Sequence, residues 1–151
     1  MLKNYFKYFL LFSFLIVIDQ YIKYIFVNGF RVDGDCISLV LAYNKGVAFS
    51  MFAFLAEYLK YIQITILLGG IIYLLLNKDI LNRYILPISM IFAGGISNIF
   101  DRFIREGVVD YVYWHCGFDF AIFNFADVII DISIILILYI SYKHEKLNNI
   151  S

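Results

Sequence analysis

Two aspartates stand where an acid–base pair can form. Asp110 follows two valines in "REGVVDYVYW", and Asp127 lies near the start of the last long apolar run, in "FNFADVIID". Seventeen positions separate them, and the chain must reverse between the apolar runs on either side, so both acids can meet at one membrane surface. Two carboxyl groups held close together do not both ionise easily, and one keeps a proton over a wide pH range. The ionised partner can then take a proton from a water held between them, while the protonated partner polarises a peptide carbonyl. A tetrahedral gem-diol results, and return of a proton to the nitrogen releases the amine. This chemistry needs neither a metal nor a serine or cysteine nucleophile. Taken singly, a loop aspartate is usually solvated, and one at a helix start usually answers the backbone dipole. Only 16% of this chain is charged, however, and a charged side chain in lipid is costly. The two acids therefore read as a dyad.

The elements that position them are membrane helices. Of the 151 residues, 63% are hydrophobic, against roughly 45–50% in a soluble domain. About 20 apolar residues of helix cross a bilayer, and four stretches qualify: Tyr5–Val27, Tyr58–Leu76, Tyr84–Phe103 and Phe123–Tyr142. The expected fold is an all-α membrane protein, a single integral-membrane domain over residues 1–151 with a small extracytoplasmic β element. The amino-terminal stretch, with Lys3 and Lys7 before an apolar core, imitates a secretory leader. It has no small-x-small cleavage site and runs on through Asp19 and Lys23, so it reads as a retained first span. Lys3, Lys7, Lys78, Arg83, Lys143 and Lys146 all fall on one side of a four-span layout, which the positive-inside rule makes cytoplasmic. Both termini are then inside. The connections 28–57 and 104–122 face outward. In the first, "CISLVLAY" and "VAFSMF" flank a turn at Asn44-Lys45-Gly46, which suggests a hairpin or curved sheet, and "MFAFLAEYLKY" suggests an interfacial helix.

Other polar residues interrupt the spans. Asp19 and Lys23 lie four apart on one helical face, either as an intrahelical ion pair or as a brace for a site. Asn98, Asp101 and Arg102 form a stripe facing the bundle interior, with an Asp101–Arg102 pair expected there. Gly94 and Gly95 lie one turn earlier, where small residues let a neighbouring helix approach. Asp131, one turn beyond Asp127, reads either as a partner of Lys23 or Arg102 or as a group that tunes the dyad's protonation. His115 and His144 read as surface histidines. Cys36 and Cys116 are too few for a disulfide framework, and both pairing and an unpaired role stay open. The net charge of zero gives no reason to expect nucleic acid.

Five short segments in order then resemble the lipoprotein signal peptidase family (signal peptidase II). They are "DQYIK" (Asp19, Lys23), "YNKGVAF" (Asn44, Gly46, Ala48, Phe49), "GGISNIFDR" (Gly94, Asn98, Asp101, Arg102), "GVVDY" (Asp110) and "FNFAD" (Asn124, Ala126, Asp127). The resemblance implies an aspartic endopeptidase of the bacterial inner membrane with its site near the outer face. Such an enzyme cuts the leader of a diacylglyceryl-modified prolipoprotein just before the lipidated cysteine. By motif position Asp110 and Asp127 are the catalytic pair, with Asn98, Arg102 and Asn124 around the site and Asn44 in an outer sheet. The partners expected are the lipid-modified prolipoprotein and membrane lipids, with a monomeric chain and no metal or cofactor. Ser97 departs from the family pattern, which usually has Gly there, and this bears on packing more than on chemistry. Asp131 lies outside that pattern. A small proton- or ion-coupled transporter is the alternative, since acids within spans also build proton relays; a non-catalytic scaffold is another. The apolar inner halves of the second and fourth spans speak against a relay.

Overall fold

The computed structural model describes residues 2–46, 51–105 and 107–148. Four helices carry the fold: α1 (Leu2–Val27), α2 (Ala56–Leu76), α3 (Lys78–Ile104) and α4 (Phe125–Asn148). All four are long and apolar enough to cross a membrane. Their side chains are arranged as a bilayer solvent demands. Phe9, Phe14, Val17, Ile66, Leu76 and Leu138 are exposed, whereas Asp19, Lys23, Ser97, Asn98, Asp101 and Asn124 are buried. Lipid rewards an apolar exterior and leaves polar groups to satisfy one another inside.

The central helix is α3, which packs against each of the other three. Gly94 permits the closest approach. A Cβ at that position would lie 2.7 Å from the Ala126 carbonyl oxygen and 2.9 Å from the Ile130 side chain. The polar stretch "NKDILNR" proves to be mostly helical. The chain leaves helical geometry at Asn77 (φ −119°, ψ 67°), resumes at Lys78, and breaks again at Tyr84 (φ −111°, ψ 19°). Pro87 follows three residues after that kink, in the first turn of the longer segment, where a missing N–H removes no helical bond.

A two-stranded antiparallel sheet caps one end of the bundle, with β1 (Ile37–Asn44) paired to β2 (Val108–Trp114). The small β element expected from the sequence is present, and the second arm of the hairpin expected about Asn44-Lys45-Gly46 falls mostly outside the described residues. The described partner of β1 comes from the other connection, about seventy residues later, and residues 47–50 lie outside the described ones. A bulge between Leu39 and Ala42 shifts the register. The sheet docks on the end of α1 through Phe26, Val109 and Tyr111, and the Phe26 and Tyr111 rings stack at 4.3 Å. A Cys36–Cys116 disulfide ties the far end of the strand pair, where Ser38 Oγ also meets His115 Nε2 at 3.0 Å. His115 is thus a structural partner of the sheet. Where an interfacial helix was expected, a 3-10 turn at Ala53–Leu55 leads directly into α2.

Candidate active site

The start of α4 is held almost entirely by side chains. The first N–H groups of a helix have no partner inside it, and here each of the first three meets an oxygen from elsewhere. Phe125 N–H donates to Tyr111 Oη at 2.9 Å, Ala126 N–H to Asp19 Oδ1 at 3.0 Å, and Asp127 N–H to Asn124 Oδ1 at 3.0 Å. Asn124 N–H in turn donates to Asp127 Oδ2 at 3.1 Å. This reciprocal pair is a capping box built from Asn and Asp, and it fixes where the Asp127 carboxylate points. Burial raises the Tyr111 hydroxyl's pKa above its ordinary value.

The same asparagine reaches the second acid. Asn124 Nδ2 donates to Asp110 Oδ1 at 2.6 Å and to Asn98 Oδ1 at 3.3 Å. Asn98 Nδ2 donates to Asp127 Oδ1 at 2.9 Å, and Asn44 Nδ2 donates to Asp110 Oδ2 at 3.0 Å. Every oxygen of both carboxyl groups therefore receives a donor, and Asn124 links the two groups directly. Asp110 sits on β2 and is only 2% exposed. Burial pushes its pKa up to about 6, the negative charge of Asp127 adds to the rise, and the Asn44 and Asn124 amides oppose it. A carboxyl group so placed can hold a proton well above the usual carboxylate range. Asn44 owes its orientation to its own turn, because its Oδ1 accepts the Gly46 N–H at 3.0 Å.

Behind the acids lies a closed ionic cluster. Lys23 Nζ, wholly buried, uses its three protons on Asp19 Oδ2 (2.7 Å), Asp101 Oδ2 (2.8 Å) and Asn98 Oδ1 (2.8 Å). Each of those two aspartates also grips a backbone N–H next to a candidate acid. Asp19 holds Ala126, which precedes Asp127, and Asp101 Oδ2 accepts from Val109, which precedes Asp110, at 3.2 Å. The expected Asp101–Arg102 pair is not among these contacts. Consecutive helical residues point about 100° apart, and Asp101 instead meets Arg105, one turn on, together with Lys23. Arg102 donates to the Gly46 carbonyl and, at 3.5 Å, to the Asn98 carbonyl.

Asn44, Asn98, Arg102, Asp110, Asp127 and Asp131 line a cavity of about 410 Å3. A second cavity, of about 250 Å3 between α1, α2 and α3, is walled by side chains such as Phe9, Phe12, Leu74 and Phe92 and holds no carboxylate, amide or cation. Gly46 and Gly94 serve by backbone and by close approach, and Ala126 by its N–H. Asp131 is exposed on the cavity wall, and the three protons of Lys23 go to other groups. Among the described residues, no group of three or more His, Cys, Asp and Glu side chains is placed to hold a metal ion. Ala48 and Phe49 lie outside the described residues. Sequence reading missed Gln20, whose amide donates to Ser97 Oγ (2.8 Å) and Asp101 (3.0 Å), and Gln63 on the cavity wall. Both are single amides inside apolar runs, and that rarity was the available signal.

Comparisons with known proteins bear on the family and the fold. The signal peptidase (SPase) II family pattern matches residues 11–143. A lipoprotein signal peptidase of Sulfurimonas denitrificans is 53% identical over 135 residues, covering 89% of this chain and 87% of the relative. One from Wolinella succinogenes is 52% identical over 136 residues, covering 90% and 93%. A solved bacterial membrane enzyme superposes with a TM-score of 0.76 at 27% identity, covering 91% of this chain and 88% of the other. With a family match across most of its length and relatives half identical to it, this chain belongs to the signal peptidase II family.

Proposed function

We propose that this chain removes the signal peptide from prolipoproteins, with Asp110 and Asp127 as its catalytic dyad. The family is one of proteases, and the relatives carry the name lipoprotein signal peptidase. The observation that carries the assignment of the dyad is that these two carboxyl groups line one cavity and are joined through the amide of Asn124. Sharing one proton, the pair binds a water between them. The ionised carboxylate removes a proton from that water as its oxygen attacks the scissile carbonyl, and the protonated carboxyl hydrogen-bonds the carbonyl oxygen. The gem-diol collapses when the nitrogen takes a proton and leaves as the new amine. Asn44, Asn98 and Asn124 orient the acids, and Arg102 ties the Gly46 end of β1 to α3. Asp19, Lys23 and Asp101 hold the backbone on which both acids ride.

The chain is read as one integral domain of the bacterial inner membrane, acting as a monomer, with both termini cytoplasmic and the sheet outside. The Cys36–Cys116 disulfide supports that orientation, since such bonds persist outside the cytoplasm. The substrate enters from the bilayer with its acyl chains against apolar helix faces and is cut before its lipidated cysteine. A transporter is not favoured. The polar groups gather at the sheet end, while "ITILLGG" and "ISIILILYI" offer no path onward.

The test uses purified protein in detergent and a diacylglyceryl-modified prolipoprotein, with product followed by gel shift. Asp110→Asn and Asp127→Asn are each expected to lose activity by ~10²–10⁴-fold, the usual worth of a positioned acid or base, while thermal melts show the fold retained. A folded variant that cleaves near the wild-type rate removes that aspartate from the dyad.

A further inference from the structure

The cavity has a side away from the acids, and its chemistry is unexplained by the dyad. Gln63 lies on α2, about 10 Å along the helix from Ala56, and Asp131 on α4, about 9 Å from Phe125. Both helices begin at the sheet end and run the same way, so the two residues face the cavity at nearly equal depth, inward of Asp127. Among the described residues, two buried side-chain polar atoms have no hydrogen-bond partner: Gln63 Oε1 and Arg102 Nε. Both belong to residues lining this cavity. A native interior rarely strands a buried polar atom, and in a span every unsatisfied group is costly. The coincidence therefore points to a ligand.

From this geometry we infer that Gln63 binds the peptide backbone of the leader, just before the scissile bond. The inference rests on the peptidase reading above and adds a residue to it. A leader crossing lipid as a helix satisfies its own backbone. To present one peptide bond to two carboxyl groups it must unwind locally, which frees N–H and C=O groups in a medium without water. A primary amide carries one acceptor oxygen and two N–H donors, so it matches the paired N–H and C=O of an extended strand. It does so whichever way its oxygen and nitrogen are oriented. Asp131 on the facing wall adds acceptor capacity for a second freed N–H. Because the leader extends inward from the cut, a contact inward of Asp127 falls on leader residues and not on the lipidated cysteine. Gln63 is thereby a substrate-binding residue that lowers the cost of unwinding.

The experiment crosses Gln63→Leu with a set of synthetic diacylglyceryl-modified prolipoprotein peptides. In each peptide one leader amide near the cut is replaced by an ester, which deletes an N–H donor and weakens the adjoining acceptor. Leu suits an apolar span, so the variant should melt no lower than the wild type. Against the all-amide peptide, Gln63→Leu should lower kcat/KM by roughly tenfold, the worth of a sheltered hydrogen bond. One ester position should cost the wild type a similar factor and cost Gln63→Leu nothing more. Equal ester penalties in both enzymes, or a Gln63→Leu rate within twofold of wild type on the all-amide peptide, would overturn the inference. Asp127→Asn is run on the all-amide peptide alongside. If it cleaves, the dyad reading fails; if it is inactive and the ester penalties are unchanged, only the role of Gln63 fails.

Discussion

Two polar clusters lie side by side at the sheet end of this bundle, and they are built on opposite rules. The first, Asp19, Lys23, Ser97, Asp101, Gln20 and Arg105, is closed. Its two carboxylates face two cations, and all three protons of Lys23 are used inside the protein. The second, Asp110 and Asp127 with their asparagines, is open. It places two acids beside one arginine on a cavity wall, near the buried atoms that lack partners. The closed cluster has little chemistry left to offer, because none of its buried side-chain polar atoms lacks a partner among the described residues. The open one keeps unmatched capacity, which is costly in a membrane and is useful only when something binds. Side-chain charge in a span thus has two separable uses here, and the clusters meet at just a few bonds: Asn98 to Lys23, Asp19 to Ala126, and Asp101 to Val109.

That contrast is most strongly tested at Lys23. Replacing it with Met leaves Asp19 and Asp101 buried without their shared counter-charge, and breaking one partner of a buried ion pair costs ~3–5 kcal/mol. Lys23→Met should therefore unfold at markedly lower temperature or denaturant than Asp127→Asn. Unfolding curves of the two variants in one detergent make the comparison. If Lys23→Met melts with the wild type, the closed cluster is not what holds the bundle, and the division between the two clusters falls.

The open cluster should show itself in pH dependence. Asp110 titrates at about 6 because of burial and of Asp127's charge. Below that value it is protonated, and above it the pair loses the proton that polarises the scissile carbonyl. Activity should fall as pH rises past about 6, approaching about tenfold per pH unit. Stability moves the same way. A carboxyl group whose pKa is raised by folding contributes stability that is fully present below its ordinary value of 3.8 and is lost as pH rises through about 6. A profile of kcat/KM from pH 5 to 8, with melts at each point, reads both. A rate that stays flat to pH 8 would mean that the proton is held elsewhere.

The parts of this arrangement that could be read in the sequence were those with a steep energetic signature. Four apolar runs had to be spans, because lipid admits little else, and Asp110 and Asp127 stood out because charge is rare there. What depended on contacts between distant segments was hidden. A strand such as "ISLVLAY" declares its conformation but not its partner, so the pairing of β1 with β2 from the other connection could not be read from it. Asp101 illustrates a smaller failure of the same kind. Its neighbour Arg102 looked like a partner, whereas the helical turn offers Arg105 and the fold offers Lys23 from another helix. The disulfide was undecided for the same reason, since eighty residues of chain separate its ends. Gln63 was visible only as one amide in an apolar run, a weak mark until the cavity beside it was seen.

Ser97 gives the finest test of the boundary between the clusters. As a small residue in place of Gly it looked like a packing detail, yet its hydroxyl donates to Asp19 Oδ2 at 2.6 Å and accepts from Gln20 at 2.8 Å. It belongs wholly to the closed cluster, with no bond to either candidate catalytic acid. Removing the hydroxyl in Ser97→Ala leaves Asp19 its bond to Lys23 and leaves Gln20 its bond to Asp101. Two hydrogen bonds go, but the Gln20 amide keeps the Ser97 carbonyl and Asp101, so the main loss is the bond to the charged Asp19, about 1.5 kcal/mol. The variant should therefore melt slightly lower than wild type while its kcat stays within a factor of two. A drop in kcat larger than the drop in stability would show that strain in the closed cluster reaches Asp127 through Asp19 and the Ala126 N–H. In that case the two clusters would be one device, with Lys23 as part of the catalytic apparatus instead of its foundation.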